Sequence, residues 1–307
     1  MRERGWRDAL LAGLPVVVLA AAAPAFYGNQ LLLFNFVIFL ALAQGLNVIY
    51  GFTGYLPFGY VGFFGAGAYG FAIGVMDLHL GPWPGMLIAG AASLAIGLLF
   101  SPLLRLSGAY FAIATLAGSQ ALYDVVSNPA LDDITKGPYG VSLSSVFAPD
   151  LSYAVAVGIL ALSVLLVVWL RNARFGLALR AMRDDPVSAA MAGFPVVRGR
   201  TIAWLLSALI AGLTGGVYAW RISVFYPDTA FDISFSIFAV VFTLFGGAAT
   251  LLGPVFGVVL LYGLYNGIGI ALPQYFQLLY GLLIMGLVLF LPDGLASLLT
   301  RRGIRVP

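Results

Sequence analysis

The chain has 307 residues, of which 62% are hydrophobic and only 9% are charged, and its mean hydropathy is +1.02. Soluble domains are about 45–50% apolar and about 25% charged, so this composition excludes a soluble globular protein. The formal net charge of +3 does not indicate a nucleic-acid partner, because the basic residues follow the pattern that membrane topology imposes on loops.

Long uncharged intervals divide the chain into candidate membrane spans. A helix needs about 20 apolar residues to cross a bilayer, and runs such as 154–170 are apolar on every face, which favours helices over the alternating strands of a barrel. The intervals predict ten helices, at 9–27, 30–50, 57–76, 84–104, 107–126, 150–170, 201–220, 234–250, 252–271 and 274–292. The sequence therefore predicts an all-α, polytopic membrane protein with one domain over 1–307.

The basic residues orient these helices. With ten spans and a cytoplasmic N terminus, every basic residue except Lys136 and Arg221 falls on the cytoplasmic side, as the positive-inside rule requires. Both termini are then cytoplasmic. The two five-helix halves would have opposite orientations, as inverted repeats do, although no internal sequence repeat accompanies them. The tryptophans lie at predicted helix ends, where interfacial aromatic residues belong: Trp6, Trp83, Trp169, Trp204 and Trp220.

Glycines are concentrated in the stretch 51–70 and again in 245–257. Pairs at GxxxG spacing let helices pack closely in lipid, and the candidate packing glycines are Gly62, Gly65, Gly70, Gly74, Gly212, Gly216, Gly253, Gly257, Gly263 and Gly267. The alternative is a helix broken to line a solute path. Pro57 and Pro254, which lie inside the two glycine-rich stretches, favour such breaks.

Neutral polar side chains in the predicted helices are the candidates for a solute pathway. They are Gln44, Asn47, Thr53, Tyr110, Thr115, Gln120 and Asn266. Interhelical hydrogen bonding is the alternative role for each of them. Apart from Asp150, the first residue of the sixth span, Asp124 is the one acidic residue within these spans, and an interfacial role explains its place near the outer end of the fifth helix equally well.

The sequence carries no signature of an enzyme or of a cofactor. It has no GxxxxGK[ST] phosphate-binding loop, no cysteine and a single histidine, His79, so neither a metal site nor a catalytic triad can be assembled from it. We therefore expect no enzymatic activity and no cofactor or metal in this chain. If ATP drives the protein, another subunit binds it.

Two segments are long enough to have structure of their own: the outer segment (127–149) and the charged segment (171–200) on the cytoplasmic side. In the charged segment, Asp184, Asp185 and Pro186 precede small apolar residues that end at Gly193. Acidic residues and proline in a first turn and a terminal glycine predict a short helix. Such a helix suits docking into a partner's groove. A solvated loop that closes two spans is the alternative.

Four segments in series, 45–70, 106–117, 174–196 and 242–261, resemble the LivM-type permease subunit of branched-chain amino acid ABC transporters. The resemblance implies an importer in the bacterial cytoplasmic (inner) membrane. It also implies a LivH-type second permease, two cytoplasmic ATPases that hold ATP and Mg²⁺, and a periplasmic or extracellular solute-binding protein. The same family includes permeases for urea, short amides and other amino acids, and nothing in the chain separates these solutes.

By the same resemblance, the charged segment engages an ATPase through a degenerate form of the importer coupling motif EAA-three-residues-Gly. Ser188, Ala189 and Ala190 stand at its start, and Gly193 comes one residue earlier than in the motif. The implied coupling residues are Arg183, Asp184, Asp185, Ser188, Ala189, Ala190 and Gly193.

Two other functions remain to be weighed against an ABC permease. A stand-alone secondary transporter or facilitator for a small neutral solute would need no ATPase, but ion coupling usually requires charged residues deep in the membrane. A membrane-embedded enzyme would need catalytic groups that this sequence does not provide.

Overall fold

The computed structural model describes residues 2–271 and, beyond them, residues 274, 275, 278, 281, 282, 285 and 286. The tenth predicted span, 274–292, lies outside the continuous described range, as do the C-terminal basic residues Arg301, Arg302 and Arg305.

The first half of the described chain contains six helices. They are α1 (Arg2–Phe26), α2 (Gln30–Leu46), α3 (Val61–Met76), α4 (Pro82–Phe100), α5 (Gly108–Val126) and α6 (Asp132–Thr135). A π-helical turn, Asn47–Gly51, extends α2, and a 3₁₀ turn, Ser101–Arg105, extends α4.

The second half contains eight more helices. They are α7 (Pro149–Asn172), α8 (Arg174–Asp184), α9 (Pro186–Met191), α10 (Val196–Ile222), α11 (Pro227–Ala230), α12 (Ser234–Gly246), α13 (Leu252–Gly257) and α14 (Gly263–Ala271). The π-helical turn Val258–Tyr262 joins the last two.

Most of the predicted spans coincide with apolar helices. Six helices among the described residues are long and apolar enough to cross a bilayer: Gln30–Gly51, Pro82–Arg105, Pro149–Asn172, Val196–Ile222, Pro227–Gly246 and Leu252–Gly269. Two shorter apolar helices, Leu11–Phe26 and Val61–Met76, and the 19-residue α5 overlap the other predicted spans up to residue 271. An all-α polytopic membrane protein is thus confirmed, while the count of ten spans stays a prediction.

The outer segment adds a small element that the sequence analysis missed. Strand β1 (Val141–Ser142) pairs antiparallel with β2 (Val224–Phe225), which directly follows α10. The indole nitrogen of Trp220 also donates to the carbonyl of Val146 at 2.7 Å. The outer segment is therefore fixed to the end of α10 by backbone and side-chain hydrogen bonds.

One tryptophan, Trp204, does not lie at a helix end, contrary to the prediction. Trp204 is 1% exposed and donates to the carbonyl of Gly97 at 2.9 Å. Helix α10 begins at Val196 rather than near residue 201, which moves Trp204 into the helix interior. Trp220 is near the end of α10, as predicted, but its ring is 0% exposed and its indole N–H bonds to the outer segment.

The core of the bundle is the mutual packing of α3, α4 and α10. A Cβ atom built on Gly67 would lie 1.9 Å from the carbonyl oxygen of Gly212, and one on Gly215 would lie 1.9 Å from that of Phe64. A Cβ on Gly212 would lie 2.1 Å from the Cβ of Ser93. Because backbone atoms cannot yield as side chains do, this crossing accepts only glycine at these positions.

The predicted packing glycines divide into two sets. A Cβ atom would come within 3.1 Å of a neighbour at eight of them, namely Gly62, Gly65, Gly70, Gly74, Gly212, Gly216, Gly253 and Gly257. At Gly263 and Gly267 the structure places no described atom within 4 Å of a built Cβ. A packing role for these two glycines stays a prediction.

Candidate functional site

The charged segment consists of two helices, α8 and α9, rather than a loop. The Asp185 carboxylate caps α9 by accepting from the amide of Val187 at 2.9 Å and from the Ser188 hydroxyl. These hydrogen bonds lower the pKa of the Asp185 carboxyl, and the bond from the Ser188 hydroxyl has the largest effect. The cap is therefore charged at neutral pH. Pro186 occupies the first helical turn, and Gly193 ends the element with φ of +85°. The short helix predicted from the sequence is present.

Helix α9 buries one residue and exposes an apolar pair. Ala189 is 6% exposed, whereas Val187 and Met191 are 66% and 83% exposed. Residues at i and i+4 share one side of a helix, so Val187 and Met191 form a continuous surface, the α9 apolar face. The other coupling candidates are exposed: Arg183, Asp184, Asp185, Ser188, Ala190 and Gly193. The placement of Ala189 inside the chain makes it unsuitable as a contact for a partner.

The chain between α2 and α3 is not helical over residues 54–60, and we call this segment the first break. Gly54 begins it with φ of +78°. The amide of Gly59 donates to the Thr115 hydroxyl at 3.3 Å, and a Cβ on Gly59 would lie 1.8 Å from the Thr115 carbonyl oxygen. The first break is therefore held directly against α5. Pro57 lies within it, as the proline-and-glycine pattern indicated.

A cavity of about 460 Å³ lies where the first break, the start of α5, the end of α8 and the start of α10 meet. Two arginines face it: Arg183 donates to the carbonyl of Gly51 at 2.6 Å, and the Arg200 guanidinium lies 4.8 Å from the centre of the Tyr55 ring. The remaining lining residues are Thr53, Gly54, Leu56, Phe58, Ser107, Gly108, Ala109, Phe111, Ala112, Met182 and Pro186. The end of α8 and the start of α9 thus lie next to the first break.

A second break, residues 247–251, separates α12 from α13. Gly247 and Ala249 have positive φ angles of +112° and +64°. The two helices fold back on each other, with a Cβ on Gly246 placed 1.9 Å from the Gly253 carbonyl oxygen and one on Gly257 placed 2.0 Å from that of Phe242. The interruption precedes Pro254 rather than occurring at it.

The pathway candidates do not form one line through this chain. Gln44 and Asn47 are fully buried and hold the second break, with Gln44 donating to the Leu251 carbonyl at 2.7 Å and Asn47 to the Thr250 carbonyl at 2.8 Å. Thr53 and Thr115 lie at the first break. Asn266, on α14, donates to the carbonyl of Tyr262 at 2.9 Å.

Tyr110 and Gln120 instead lie on one exposed stripe of α5. Tyr110 is 76% exposed, and Gln120 donates to the Asp124 carboxylate at 3.2 Å. The exposed positions recur at helical spacing along the whole helix: Tyr110, Ile113, Ala117, Gln120, Ala121, Asp124 and Val125. We call these residues the α5 stripe. A side chain that is polar and exposed at membrane depth points to protein or water rather than lipid.

The α9 apolar face and three of the closest-packed glycines, Gly59, Gly67 and Gly215, are not among the residues predicted from the sequence. Two apolar residues four positions apart in a charged helix were a readable signal for Val187 and Met191. The glycines carried no such signal, because their partners come from other helices.

The comparisons with known proteins agree with this architecture. The profile of the family described as "Branched-chain amino acid transport system / permease component" matches residues 29–289. The high-affinity branched-chain amino acid transport system permease protein LivM of Salmonella typhimurium and that of Escherichia coli are each 28% identical to the chain over 291 residues, which cover 84% of the chain and 68% of each relative.

A second kind of permease also matches. The probable branched-chain amino acid transport permease protein LivH of Methanocaldococcus jannaschii is 31% identical over 212 residues, covering 68% of the chain and 60% of that relative. No solved structure matches the chain.

Proposed function

The chain belongs to the family of permease components of branched-chain amino acid transport systems, and from this premise we propose that it imports branched-chain amino acids or closely related small amino acids and amides. It is a permease subunit of an ABC importer. We place it in the cytoplasmic (inner) membrane of a bacterium, with a paralogous LivH-type permease, two cytoplasmic ATPases and an extracellular or periplasmic solute-binding protein.

The α5 stripe is the observation that carries the proposed pathway. It presents Gln120 and Asp124, which are hydrogen-bonded to each other, on the exposed side of a helix that we place in the membrane. Lipid there would leave their remaining polar atoms without partners. The second permease and a polar solute path between the two subunits would satisfy them. Tyr110 and Gln120 are therefore our choice of pathway residues in this chain.

The α9 apolar face supports the proposed contact with an ATPase. Val187 and Met191 are large, apolar and exposed on a helix whose flanks are charged, and a helix of this kind packs into a hydrophobic groove. The docking residues we propose are these two, with Asp185 and Ser188 fixing the helix. The buried Ala189 supports the helix from inside the chain.

We retain the predicted topology as part of the proposal: ten spans, cytoplasmic termini and halves in inverted orientation. Helices α7, α8, α9 and α10 fit it, because the charged segment then projects into the cytoplasm. Reporter fusions after Ala178 and after Thr135 test it, and we expect cytoplasmic and external signals respectively. Equal signals from both would contradict the ten-span topology.

Reconstituted uptake tests the function. We would express the chain with a LivH-type permease, the two ATPases and a solute-binding protein in cells that lack their own leucine importers, and measure uptake of labelled leucine, valine and urea. We expect uptake of leucine and valine that disappears when the ATPases are omitted. Uptake that persists without ATPases would support a facilitator instead, and uptake of urea without leucine or valine would overturn the assignment to branched-chain amino acids.

A further inference from the structure

The charged helices and the second break are connected through the end of α2 by hydrogen bonds and one close backbone contact. The series begins at Arg183, in the last turn of α8, and ends at the backbone of residues 249–251. We call it the α8–α2 link. It runs through Gln44 of α2 and Asn47 of the π-helical turn that extends α2, two neutral polar residues that the sequence alone associates with a pathway.

The first step of the link is the 2.6 Å bond from the Arg183 guanidinium to the carbonyl of Gly51. Gly51 ends the π-helical turn after α2, so its carbonyl lies at a helix terminus, where the intrahelical partner is missing. A Cβ on Gly51 would lie 2.2 Å from the Asn47 side-chain oxygen and 2.6 Å from the Ala249 nitrogen. The backbone of Gly51 is therefore in direct contact with the second break.

The second step is a set of hydrogen bonds between the end of α2 and the second break. The Asn47 amide accepts from the nitrogen of Ala249 and donates to the carbonyl of Thr250, both at 2.8 Å. One turn earlier, Gln44 donates to the carbonyl of Leu251 at 2.7 Å. Three consecutive residues of the break are thus bound by two side chains of one helix.

The conformation that these bonds hold is an unusual one. Ala249 has φ of +64°, which a residue with a Cβ adopts only where its surroundings enforce it. The side-chain oxygen of Gln44 is buried without a hydrogen-bond partner among the described residues. It is an acceptor available to the break if the loop shifts.

We propose that the α8–α2 link transmits movement of the charged helices to the second break, with Arg183, Asn47 and Gln44 as positioning residues for coupling ATP hydrolysis to transport. This inference rests on the proposed function, since it assumes that an ATPase moves α8 and α9. One bond of the link is buried and the others are partly buried. Such bonds suit this role because exchanging them for water is costly, so the groups that they join move together. Apolar contacts between α8 and its neighbours, by contrast, can slide.

The test uses the assembled importer in proteoliposomes and measures leucine transported per ATP hydrolysed. We expect Arg183→Met and Asn47→Leu each to lower this ratio by about fivefold, the lower end of typical coupling between sites. The double variant should be no worse than either single variant, because both cut the same connection. Arg183→Lys, which keeps a cationic donor, should recover part of the ratio.

Ser163→Ala is the control. It removes a buried hydroxyl-to-carbonyl bond of 2.7 Å to Leu160, on α7 and outside the link. We expect its ratio to equal that of the unmodified chain. A loss as large as that of Asn47→Leu would overturn the proposal, since the loss of any internal hydrogen bond would then have the same effect.

A conformational measurement separates coupling from folding. The chain contains no cysteine, so Phe256→Cys on α13, a 41% exposed position, can carry a single environment-sensitive fluorophore. ATP should change its emission in the otherwise unmodified importer and not in Arg183→Met, at equal amounts of co-purified ATPase. An unchanged response and an unchanged transport ratio in Arg183→Met and Asn47→Leu would overturn the link alone. ATPases that fail to co-purify with the unmodified chain would overturn the proposed function, and the link with it.

Discussion

The α3–α10 crossing and helix α5 show two ways in which a helix of this chain meets its surroundings. At the crossing, the backbones of Gly67, Gly212 and Gly215 lie in direct contact with their neighbours, and no room for a side chain remains. Helix α5 packs on one side only and leaves Tyr110, Gln120 and the rest of its stripe exposed. The first region is packed within the chain, and the second is exposed among the described residues, which is the surface we propose for a partner.

This difference follows from the bilayer as a solvent. Lipid gives no hydrophobic drive for helices to associate, so stable contacts depend on close packing and on hydrogen bonds. A surface that lacks both within the chain, and that carries polar groups, has its partner elsewhere. Mutations at the crossing should therefore damage the chain itself, and mutations of exposed surfaces should damage only the assembly.

The largest effect is expected for Gly67→Leu. Its Cβ would lie 1.9 Å from the carbonyl oxygen of Gly212, and relieving that clash requires the two helices to separate, at about 3 kcal/mol or more. We expect little folded protein in the membrane. Size-exclusion chromatography of the detergent-solubilised protein measures this amount. The control is Gly267→Leu, which has open space in the structure. Equal yields of the two variants would contradict the close crossing.

Next in size is the loss of assembly on Met191→Glu. Met191 is 83% exposed, so the chain should fold normally, while an unpaired charge in the apolar contact should prevent an ATPase from binding. Co-purification of the ATPase and leucine uptake should fall together. Ala189→Glu should behave differently, because this buried position should lower the amount of folded chain as well. A Met191→Glu variant that retains its ATPase would show that the α9 apolar face is not the docking surface.

A smaller effect is expected for Gln120→Leu on the α5 stripe. The change removes a polar group and the 3.2 Å bond to Asp124 without altering any close contact, so yield and ATPase binding should be preserved. Uptake should fall several-fold through a change in transport rather than assembly. Leu87→Ala, at a 76% exposed position of α4, should leave uptake unchanged. If both variants transport normally, the stripe does not line the path.

The smallest effect concerns the cap of α9. The lowered pKa of Asp185 means that its carboxylate stabilises the folded segment above the ordinary pKa of an aspartate and loses this effect only as the pH falls through the lowered value. ATPase binding that depends on the Asp185 cap should therefore not change between pH 6 and pH 8, because both are far above the ordinary aspartate pKa of about 3.9. Asp185→Ala should weaken ATPase binding less than Met191→Glu does, and Asp185→Asn, which still accepts a hydrogen bond, should restore it. ATPase binding that changes steeply with the protonation of Asp185 between pH 6 and pH 8 would contradict the capping role.

Much of the architecture could be predicted from the sequence because the signals are local. Each apolar interval between charges must become a helix, since lipid offers no partner to an open backbone. The acidic residues, proline and glycine around 184–193 likewise specify α9 through the chemistry of its own ends. The family resemblance carried by residues 45–70 and 174–196 adds the transport function that the profile match supports.

The remaining features depend on which surfaces meet, and local patterns do not contain that information. The sequence marks Gly263 and Gly267 as packing residues as strongly as Gly212 and Gly216, yet among the described residues a helix packs against the second pair and not against the first. Gln44 and Asn47 are polar residues in an apolar helix whether they face a solute or a loop. Only the tertiary structure assigns them to the second break, because a hydrogen bond is decided by the position of its partner about 200 residues away along the chain.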